Sequence, residues 1–387
     1  MQTTSSVSGS KSSSSGTLFE IPFLRPPFGN AEIGAVIDVM GTAAVSSGLA
    51  VLAFEERFRE MTNSRYAYAV NSGTTALELA LRALVRAGEL SFGDRVIVPS
   101  FTFSAVANAV VSAGLEPCFA DIDPETWNLD IDRIQATKEK AIIVTHTFGN
   151  PADISGAEGL ATDHGLTLIE DCAEACGARC GDVPVGSFGD IATFSFNATK
   201  NMTTGEGGMV CTSSAPISTE ISLLREHGLV YSARGVRDTL VPGHNYRLAN
   251  ILAAIGVKQF DKLESHNTFR NVIVESYRKA LAGLPVTFQA VEPDSYHAYQ
   301  VFTIRVPPQL RDLLYDRLRE ESIEAKIYFN LPIHLQTFYR ERGFCCCTDN
   351  LLETESMALD CISLPMYPSL SINEVRRVAA VVAEVVG

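Results

Sequence analysis

The stretch IATFSFNATKNMTTGEGGMVC, residues 191–211, places two short apolar runs on either side of a polar, glycine-rich turn. The runs at 191–194 and 209–211 have the length and composition of buried strands. Five further apolar runs precede them, separated by helical patterns, at residues 66–70, 95–98, 117–120, 141–145 and 167–169. Strands that alternate with helices predict an α/β fold, in which helices cover a mostly parallel central sheet.

The pattern of the sequence changes after roughly Leu284, where a smaller α+β unit is predicted. Its elements are a strand near 299–306, a helix at 308–320, a strand near 325–328 and a closing helix at 372–386. We therefore divide the chain into a large domain, residues 18–265, and a small C-terminal domain, residues 266–387. Residues 1–17 hold eight serines and one charged residue, Lys11, and predict a flexible tail.

The composition limits the class of protein. The chain has 387 residues, with 31 Lys and Arg against 45 Asp and Glu, which gives a net charge of −14. A hydrophobic fraction of 46% with 20% charged residues is typical of a globular enzyme. The acidic balance argues against a protein that covers nucleic-acid phosphates with basic side chains, although a local pocket could still bind a small polyanion.

One stretch, residues 96–115, carries no charge and invites comparison with a membrane span. Pro99, Ser100 and several other polar residues interrupt it. A buried strand, turn and helix therefore explain it better, and no membrane association is expected.

Nine cysteines form an odd set without paired spacing, which predicts reduced thiols and a cytoplasmic protein. Cys172, Cys176 and Cys180 recur at four-residue spacing, but Gly177 lies between them and no fourth ligand is near in the sequence. We interpret them as buried structural thiols and predict no metal site. The tract at 341–350, ERGFCCCTDN, is expected to be an exposed loop, and its three cysteines have no assigned role.

Ligands of open α/β sheets bind at the carboxyl ends of strands, so the residues that follow each strand are the candidates. Residues 71–75, NSGTT, lead into a helix whose free amides favour a phosphate, although a simple N-cap is the commoner explanation. Asp171 could hold a proton on the ring nitrogen of a pyridoxal cofactor, or could cap the next segment. Lys200 could form a Schiff base or be a surface charge, and its small, aromatic and hydroxyl neighbours favour the first.

Together these segments resemble the DegT/StrS-type sugar aminotransferases, which use pyridoxal phosphate (PLP) and have the type I aspartate aminotransferase fold. The resemblance extends from about Ile21 to the end of the chain. The motifs that carry it are 72–74 (SGT), 99–103 (PSFTF), 149–153 (GNPAD), 170–171 (ED), 195–201 (SFNATKN), 245–247 (NYR) and 363–365 (SLP).

The resemblance implies a role for each matching residue around the cofactor ring. Lys200 would join the cofactor covalently and then move a proton between substrate and cofactor. Asp171 would pair with the ring nitrogen, and Phe103 would stack on the ring. Glu174 stands near the cofactor hydroxyl, where the family often has Gln or His.

The resemblance also implies a phosphate site and a partner subunit. Ser72, Gly73, Thr74 and Ser195 would hold the cofactor phosphate, and Asn245 would reach in from the other subunit of a homodimer with shared active sites. His334 matches a histidine at the mouth of the substrate site.

The implied reaction is a ping-pong transfer of an amino group from L-glutamate to a nucleotide-linked keto-deoxysugar, with the cofactor alternating between PLP and PMP. Residues 195–201 with 205–208 (GEGG) resemble members that aminate C4. The alternatives are a keto-cyclitol aminotransferase, a PMP-dependent sugar 3-dehydratase and a non-catalytic relative. The dehydratases carry histidine in place of the lysine, so Lys200 argues against that alternative, and the intact Lys200 and Asp171 argue against a non-catalytic protein.

Overall fold

The computed structural model describes residues 19–387, so the tail predicted at 1–17 lies outside the described residues. Among the described residues, no helix has both the length and the apolar character needed to cross a bilayer.

Helices and strands alternate through most of the described chain. The helices are α1 (Asn30–Gly41), α2 (Leu49–Thr62), α3 (Gly73–Ala87), α4 (Ala105–Ser112), α5 (Ile154–His164), α6 (Ala215–Arg225), α7 (Asn250–Phe260), α8 (Leu263–Ala280), α9 (Pro308–Glu320), α10 (Thr337–Arg342), α11 (Leu352–Asp360) and α12 (Ile372–Val386). The strands are β1 (Tyr66–Val70), β2 (Arg95–Pro99), β3 (Glu116–Ala120), β4 (Glu139–Thr145), β5 (Thr167–Asp171), β6 (Arg179–Cys180), β7 (Val183–Pro184), β8 (Ile191–Ser195), β9 (Gly208–Thr212), β10 (Leu229–Tyr231), β11 (Arg237–Thr239), β12 (Thr287–Phe288), β13 (Ser295–Tyr296), β14 (Phe302–Arg305) and β15 (Cys361–Leu364).

The central sheet has the strand order β1-β9-β8-β5-β4-β2-β3. Strands β8, β5, β4, β2 and β3 pair in parallel, whereas β9 is antiparallel to both of its neighbours, β8 and β1. β1 therefore points in the same direction as the parallel strands. The predicted α/β fold with a mostly parallel sheet is confirmed, and the seven predicted strands are the seven strands of this sheet.

Helix α3 illustrates how the local sequence builds a covering helix. Ser72 is its N-cap and accepts a hydrogen bond from the backbone N–H of Thr75 at 3.1 Å. Leu77, Leu81 and Leu84 lie on its buried side, within the apolar core against the sheet. The helix ends at Gly88, whose φ of 81° lies in the left-handed region that glycine adopts without strain. The carboxyl end of β1 is thus joined directly to a helix N-terminus.

The C-terminal part of the chain has its own apolar core, built from α8, α9, α12 and the small sheet β12-β14-β15. The strand predicted near 325–328 is wrong, since only Lys326 pairs there, as an isolated bridge to Ser363. The boundary predicted between residues 265 and 266 falls inside α8, a continuous helix that joins the two parts. The division into two domains stays a prediction.

The prediction that residues 341–350 form an exposed loop is wrong for the middle of the segment, residues 345–347. The backbone N–H of Phe119 on β3 donates to the carbonyl of Cys345, and the N–H of Cys347 donates to the carbonyl of Phe119, both at 2.9 Å. Cys347 is buried, whereas Cys346 is exposed. Because β3 is the edge of the central sheet, its free backbone groups are available to pair with this segment.

Arg270 on α8 is buried and donates from Nη1 to the carbonyls of Tyr299, Gln300 and Met366, at 3.1–3.4 Å. We expect Arg270→Ala to lower the free energy of unfolding by about 3 kcal/mol, because three buried carbonyls lose a charged donor. Urea denaturation measures this. Arg376→Ala, at an exposed position of α12, is the control and should change stability by less than about 0.5 kcal/mol. Equal effects of the two substitutions would contradict the assigned role of Arg270.

Candidate active site

A cleft of about 330 Å³ opens at the carboxyl edge of the central sheet. Strands β1, β2, β4, β5 and β8 all end at this edge because they point in the same direction. The residues at their ends line the cleft: Ser72, Gly73 and Thr74 after β1; Thr102 and Phe103 after β2; Thr145 and His146 at the end of β4; Asp171, Ala173 and Glu174 at the end of β5; and Ser195, Asn197, Thr199 and Lys200 at the end of β8.

The amine of Lys200 lies in the cleft beside a carboxylate. Its Nζ is 3.3 Å from Oε1 of Glu174, and both side chains are less than one-quarter exposed. The other oxygen of Glu174 accepts the backbone N–H of Phe148 at 2.9 Å, which fixes the carboxylate. The turn that carries the lysine is itself held, because Gln300 donates to the carbonyl of Thr199 at 2.7 Å. The arrangement presents one primary amine in a fixed position inside the cleft.

Asp171 is the last residue of β5 and is buried. Burial raises the pKa of its carboxyl to about 6, while a hydrogen bond from the Ala173 N–H and the positive charge of Lys200 oppose the shift. The group is therefore ionised at neutral pH but poorly solvated. A buried carboxylate of this kind favours a cationic partner, such as a protonated ring nitrogen.

A buried polar group lies directly behind Asp171. The carboxylate of Glu170 accepts three backbone N–H bonds at 2.8 Å, from Gly186, Phe188 and Gly189. His146 contacts it through Nε2 at 3.4 Å, while its Nδ1 accepts the N–H of Ala152 at 3.0 Å. An acceptor at Nδ1 leaves the proton of the neutral ring on Nε2, facing Glu170. This group holds the end of β4 against the end of β5.

The turn after β1 fits an anionic group. A Cβ at Gly73 would lie 2.6 Å from the Cβ of Ser195, so only glycine allows the start of α3 to approach the end of β8 so closely. The N-terminus of this 15-residue helix and the residues Ser72, Thr74 and Ser195 all line the cleft, where backbone amides and hydroxyls can donate to an anion. Capping by Ser72 and binding of a phosphate are therefore compatible. The donors present suit the phosphate of PLP.

Not every predicted site residue lies in the cleft. Phe103 lines it and is 60% exposed, which leaves its ring face available. Asn245 is exposed outside the cleft of its own chain, and His334 lies behind the cleft wall. The His334 ring contacts Ser100 Oγ at 2.6 Å and Glu355 at 3.2 Å. The roles assigned to these three residues stay predictions.

Sequence reasoning missed several residues that line the cleft, among them His146, Gln300, Tyr328 and Phe329. His146 follows a strand and could have been found by the same rule that selected Asp171. Tyr328 and Phe329 lie in a segment of the C-terminal part with no local motif, so no sequence signal identifies them.

A mostly parallel sheet with a buried aspartate and a lysine in one cleft at its carboxyl edge is the arrangement of a PLP-dependent transferase of fold type I. Residues 27–383 match the model of the DegT/DnrJ/EryC1/StrS aminotransferase family. The chain belongs to this family and is a PLP-dependent sugar aminotransferase.

Three solved structures illustrate the similarity. An aminotransferase of the same family from Brucella abortus is 29% identical with a TM-score of 0.85, and the match covers 92% of this chain and 96% of that chain. PseC from Helicobacter pylori, an aminotransferase of pseudoaminic acid biosynthesis, is 25% identical with a TM-score of 0.88, covering 95% and 99%. DesV from S. venezuelae is 29% identical with a TM-score of 0.84, covering 94% and 98%.

The raised pKa of Asp171 predicts a pH-dependent stability of the cofactor-free protein. Between the unfolded pKa of 3.8 and the folded value of about 6, the folded state binds more protons at this group than the unfolded chain does. The contribution of Asp171 to the free energy of unfolding therefore falls as the pH rises through this window, by about 3 kcal/mol. We expect cofactor-free Asp171→Asn to be more stable than the cofactor-free wild type by this amount at pH 7.5.

Denaturant unfolding of both proteins at pH 4 and pH 7.5 measures the effect, and the difference should nearly vanish at pH 4. Asp163→Asn, at an exposed position of α5, is the matched control and should show no such pH-dependent difference. A constant difference between wild type and Asp171→Asn at both pH values would contradict the assigned burial penalty.

Proposed function

We propose that this protein transfers the amino group of L-glutamate to the keto carbon, C4, of a nucleotide-linked keto-deoxysugar. The observation that carries the proposal is the Lys200 amine, held by Glu174 in a cleft that also contains the buried Asp171 and an anion site. One amine of this kind can first bind a cofactor aldehyde and then act as the mobile base of a transamination.

When bound, PLP supplies an electron sink that stabilises negative charge on the carbon that loses its proton. Lys200 is the residue that can hold the cofactor and carry a proton at Nζ. Asp171 would keep a ring nitrogen protonated, because a buried carboxylate favours a cationic partner. Ser72, Gly73, Thr74 and Ser195 would hold the phosphate through hydroxyls and helix amides, and Phe103 would pack on the ring.

Glu174 has two tasks in this arrangement. Its carboxylate orients the lysine amine from 3.3 Å, and it would lie near the cofactor hydroxyl, as the resemblance to the family implies. The backbone amide of Phe148 prevents the carboxylate from turning away. The non-covalent contact between Glu174 and Lys200 thus holds the amine in position.

The alternatives differ in what they need from these residues. A PMP-dependent 3-dehydratase needs a cofactor that is not linked to the protein, and Lys200 argues against it. A keto-cyclitol aminotransferase would use the same groups, so only the acceptor distinguishes it. The choice of C4 and of a nucleotide-linked sugar is supported by the resemblance of residues 195–201 and 205–208 to C4 aminases.

A homodimer with shared sites is supported by the surface around Asn245. A groove formed by residues 46–52 with Arg225, Glu226, Arg247 and Leu248 lies next to this asparagine. Large apolar side chains are exposed on and near it, including Leu49, at 82%, and Leu52, at 61%. A second copy of the chain would cover these side chains and bring Asn245 to the partner's cleft. The nine cysteines, all within the described residues, are free, which supports a reducing cytoplasm.

A panel of UDP-, dTDP- and GDP-linked 4-keto and 3-keto sugars, with a keto-cyclitol, tests the acceptor when offered with L-glutamate. We expect a 4-keto sugar nucleotide to gain an amine, read by the mass of the product. Lys200→Ala should lose this turnover by at least about 10³-fold while keeping its fold, because no other amine occupies the position. Lys279→Ala, at an exposed position of α8, should keep full activity. Turnover of Lys200→Ala at the wild-type rate, or amination of the cyclitol alone, would refute the proposal.

Subunit exchange tests the shared site. In a mixed dimer of Lys200→Ala and Asn245→Asp chains, one of the two sites keeps both native residues if Asn245 acts across the interface. Asn245→Asp places a negative charge against the cofactor phosphate, so each parent dimer should have low activity. With half of the dimers mixed and one intact site in each, activity should return to about 25% of wild type. Activity that stays at the mean of the two parents would contradict an asparagine that acts in trans.

A further inference from the structure

Two thiols and a carboxylate meet at the edge of the central sheet, away from the cleft. Cys118 lies on β3, Glu139 is the first residue of β4, and Cys345 follows α10. The two sulfur atoms and a carboxylate oxygen lie within 4.8 Å of one another. Glu139 begins its strand, whereas the cleft is lined from the ends of the strands, so the cluster is separate from the site described above.

The backbone pairing of residues 345–347 with β3 explains why the side chains of three consecutive cysteines point to two different sides of the sheet. Cys346 pairs with Phe119 as an isolated parallel bridge. Side chains alternate along an extended segment, so Cys345 and Cys347 point to the side of Cys118 and Cys346 points to the other. The packing agrees, because Cys118, Cys345 and Cys347 belong to one apolar cluster and Phe119 to another, while Cys346 is exposed.

The donor set suits a zinc ion. Zn²⁺ takes four tetrahedral ligands from Cys, His and carboxylates, which places coordinated sulfur atoms about 3.8 Å apart. The two sulfur atoms already lie within 4.8 Å of each other, so small rotations of the two cysteine side chains bring them to the spacing of zinc-bound sulfur atoms. The three side chains fill three of the four tetrahedral positions, and a water molecule can take the fourth. Cys345 is only partly buried, so an ion can reach the cluster from solvent.

Glu139 is oriented for this task by its neighbours. Its Oε2 accepts the backbone N–H groups of Thr137 at 2.7 Å and Lys138 at 3.0 Å. The carboxylate is thereby held towards the two thiols, with Oε1 left for another partner. Hydrogen bonds that orient a ligating carboxylate are the usual support of a metal site.

A second trio of suitable side chains is less favourable. His146, Glu170 and Cys172 also lie within 4.8 Å of one another, but all three are fully buried. Glu170 already accepts three backbone amides, and Nδ1 of His146 accepts the N–H of Ala152. These groups hold the β4 and β5 ends together, and their hydrogen bonds already occupy the atoms that would bind an ion.

We propose that Cys118, Cys345 and Glu139 form a zinc site that fastens residues 345–347 to the edge of the central sheet. On binding, the two S–H bonds break, two Zn–S bonds form, and two protons leave to solvent, while Glu139 enters as the carboxylate. No oxidant or reductant is needed. The site departs from the sequence-based expectation that this chain has no metal ligands.

Zinc uptake by the full-length protein, reduced, freed of metal with a chelator and dialysed, tests the proposal. We expect wild type to bind one equivalent of Zn²⁺ per chain, measured by elemental analysis, and to raise its melting temperature on binding. Co²⁺ as a probe should give the near-ultraviolet absorption of a cobalt–thiolate bond. Cys346→Ser is the matched control, since its side chain points away, and it should bind as wild type does.

Cys345→Ser and Glu139→Gln should each weaken Zn²⁺ affinity at least tenfold in a chelator competition, and Cys345→Ser should lose the cobalt band. Because Cys345 is partly exposed, its replacement avoids the folding risk of Cys118→Ser, and retained aminotransferase turnover confirms the fold of each variant. Three results would overturn the proposal: no stoichiometric zinc in wild type, equal uptake by Cys345→Ser, or a Cys118–Cys345 disulfide in a protein that takes up no metal after reduction.

Discussion

The carboxylate of Glu170 is fully buried, and the geometry of the cleft depends on how that negative charge is satisfied. Three backbone amides from the loop before β8 and the Nε2 of His146 surround it. Burial works to raise the pKa of Glu170, but the hydrogen bonds from His146 and the amides hold it below its ordinary value. A buried carboxylate without these donors would cost several kcal/mol, so the loop, the histidine and β5 are held together.

This constraint positions the residues of the chemistry. Asp171 follows Glu170 directly and therefore points into the cleft when Glu170 points away from it, as alternation along a strand requires. The loop that donates to Glu170 leads into β8, whose far end carries Ser195 and the turn with Lys200. The buried acid ends β5, and the turn with the cleft lysine follows the neighbouring parallel strand β8. Their spacing depends on the pairing of those strands and on the contacts of Gln300 and Glu174 that hold the turn.

The edge strands of the same sheet have a different role. β1 joins the sheet through the antiparallel β9, and this pairing brings Gly73 against Ser195 at one end of the cleft. At the opposite edge, β3 would expose free backbone groups, and residues 345–347 cover them. One edge therefore completes the cleft, and the other attaches the C-terminal part of the chain.

The local residue pattern is enough to predict the alternation of strands and helices, and with it the α/β class and the strand ends near which Asp171, Lys200 and residues 72–74 lie. These features are local, because side-chain periodicity and capping residues act over a few positions. Tertiary contacts determine the place of β9 between β1 and β8, the pairing of His146 with Glu170, and the entry of Tyr328 and Phe329 into the cleft. Tertiary contacts also determine the burial of Cys347 and the partial burial of Cys345 in a tract that looks polar. Each of these contacts joins segments far apart in the chain, and the packing free energy that selects them leaves no pattern in the local sequence.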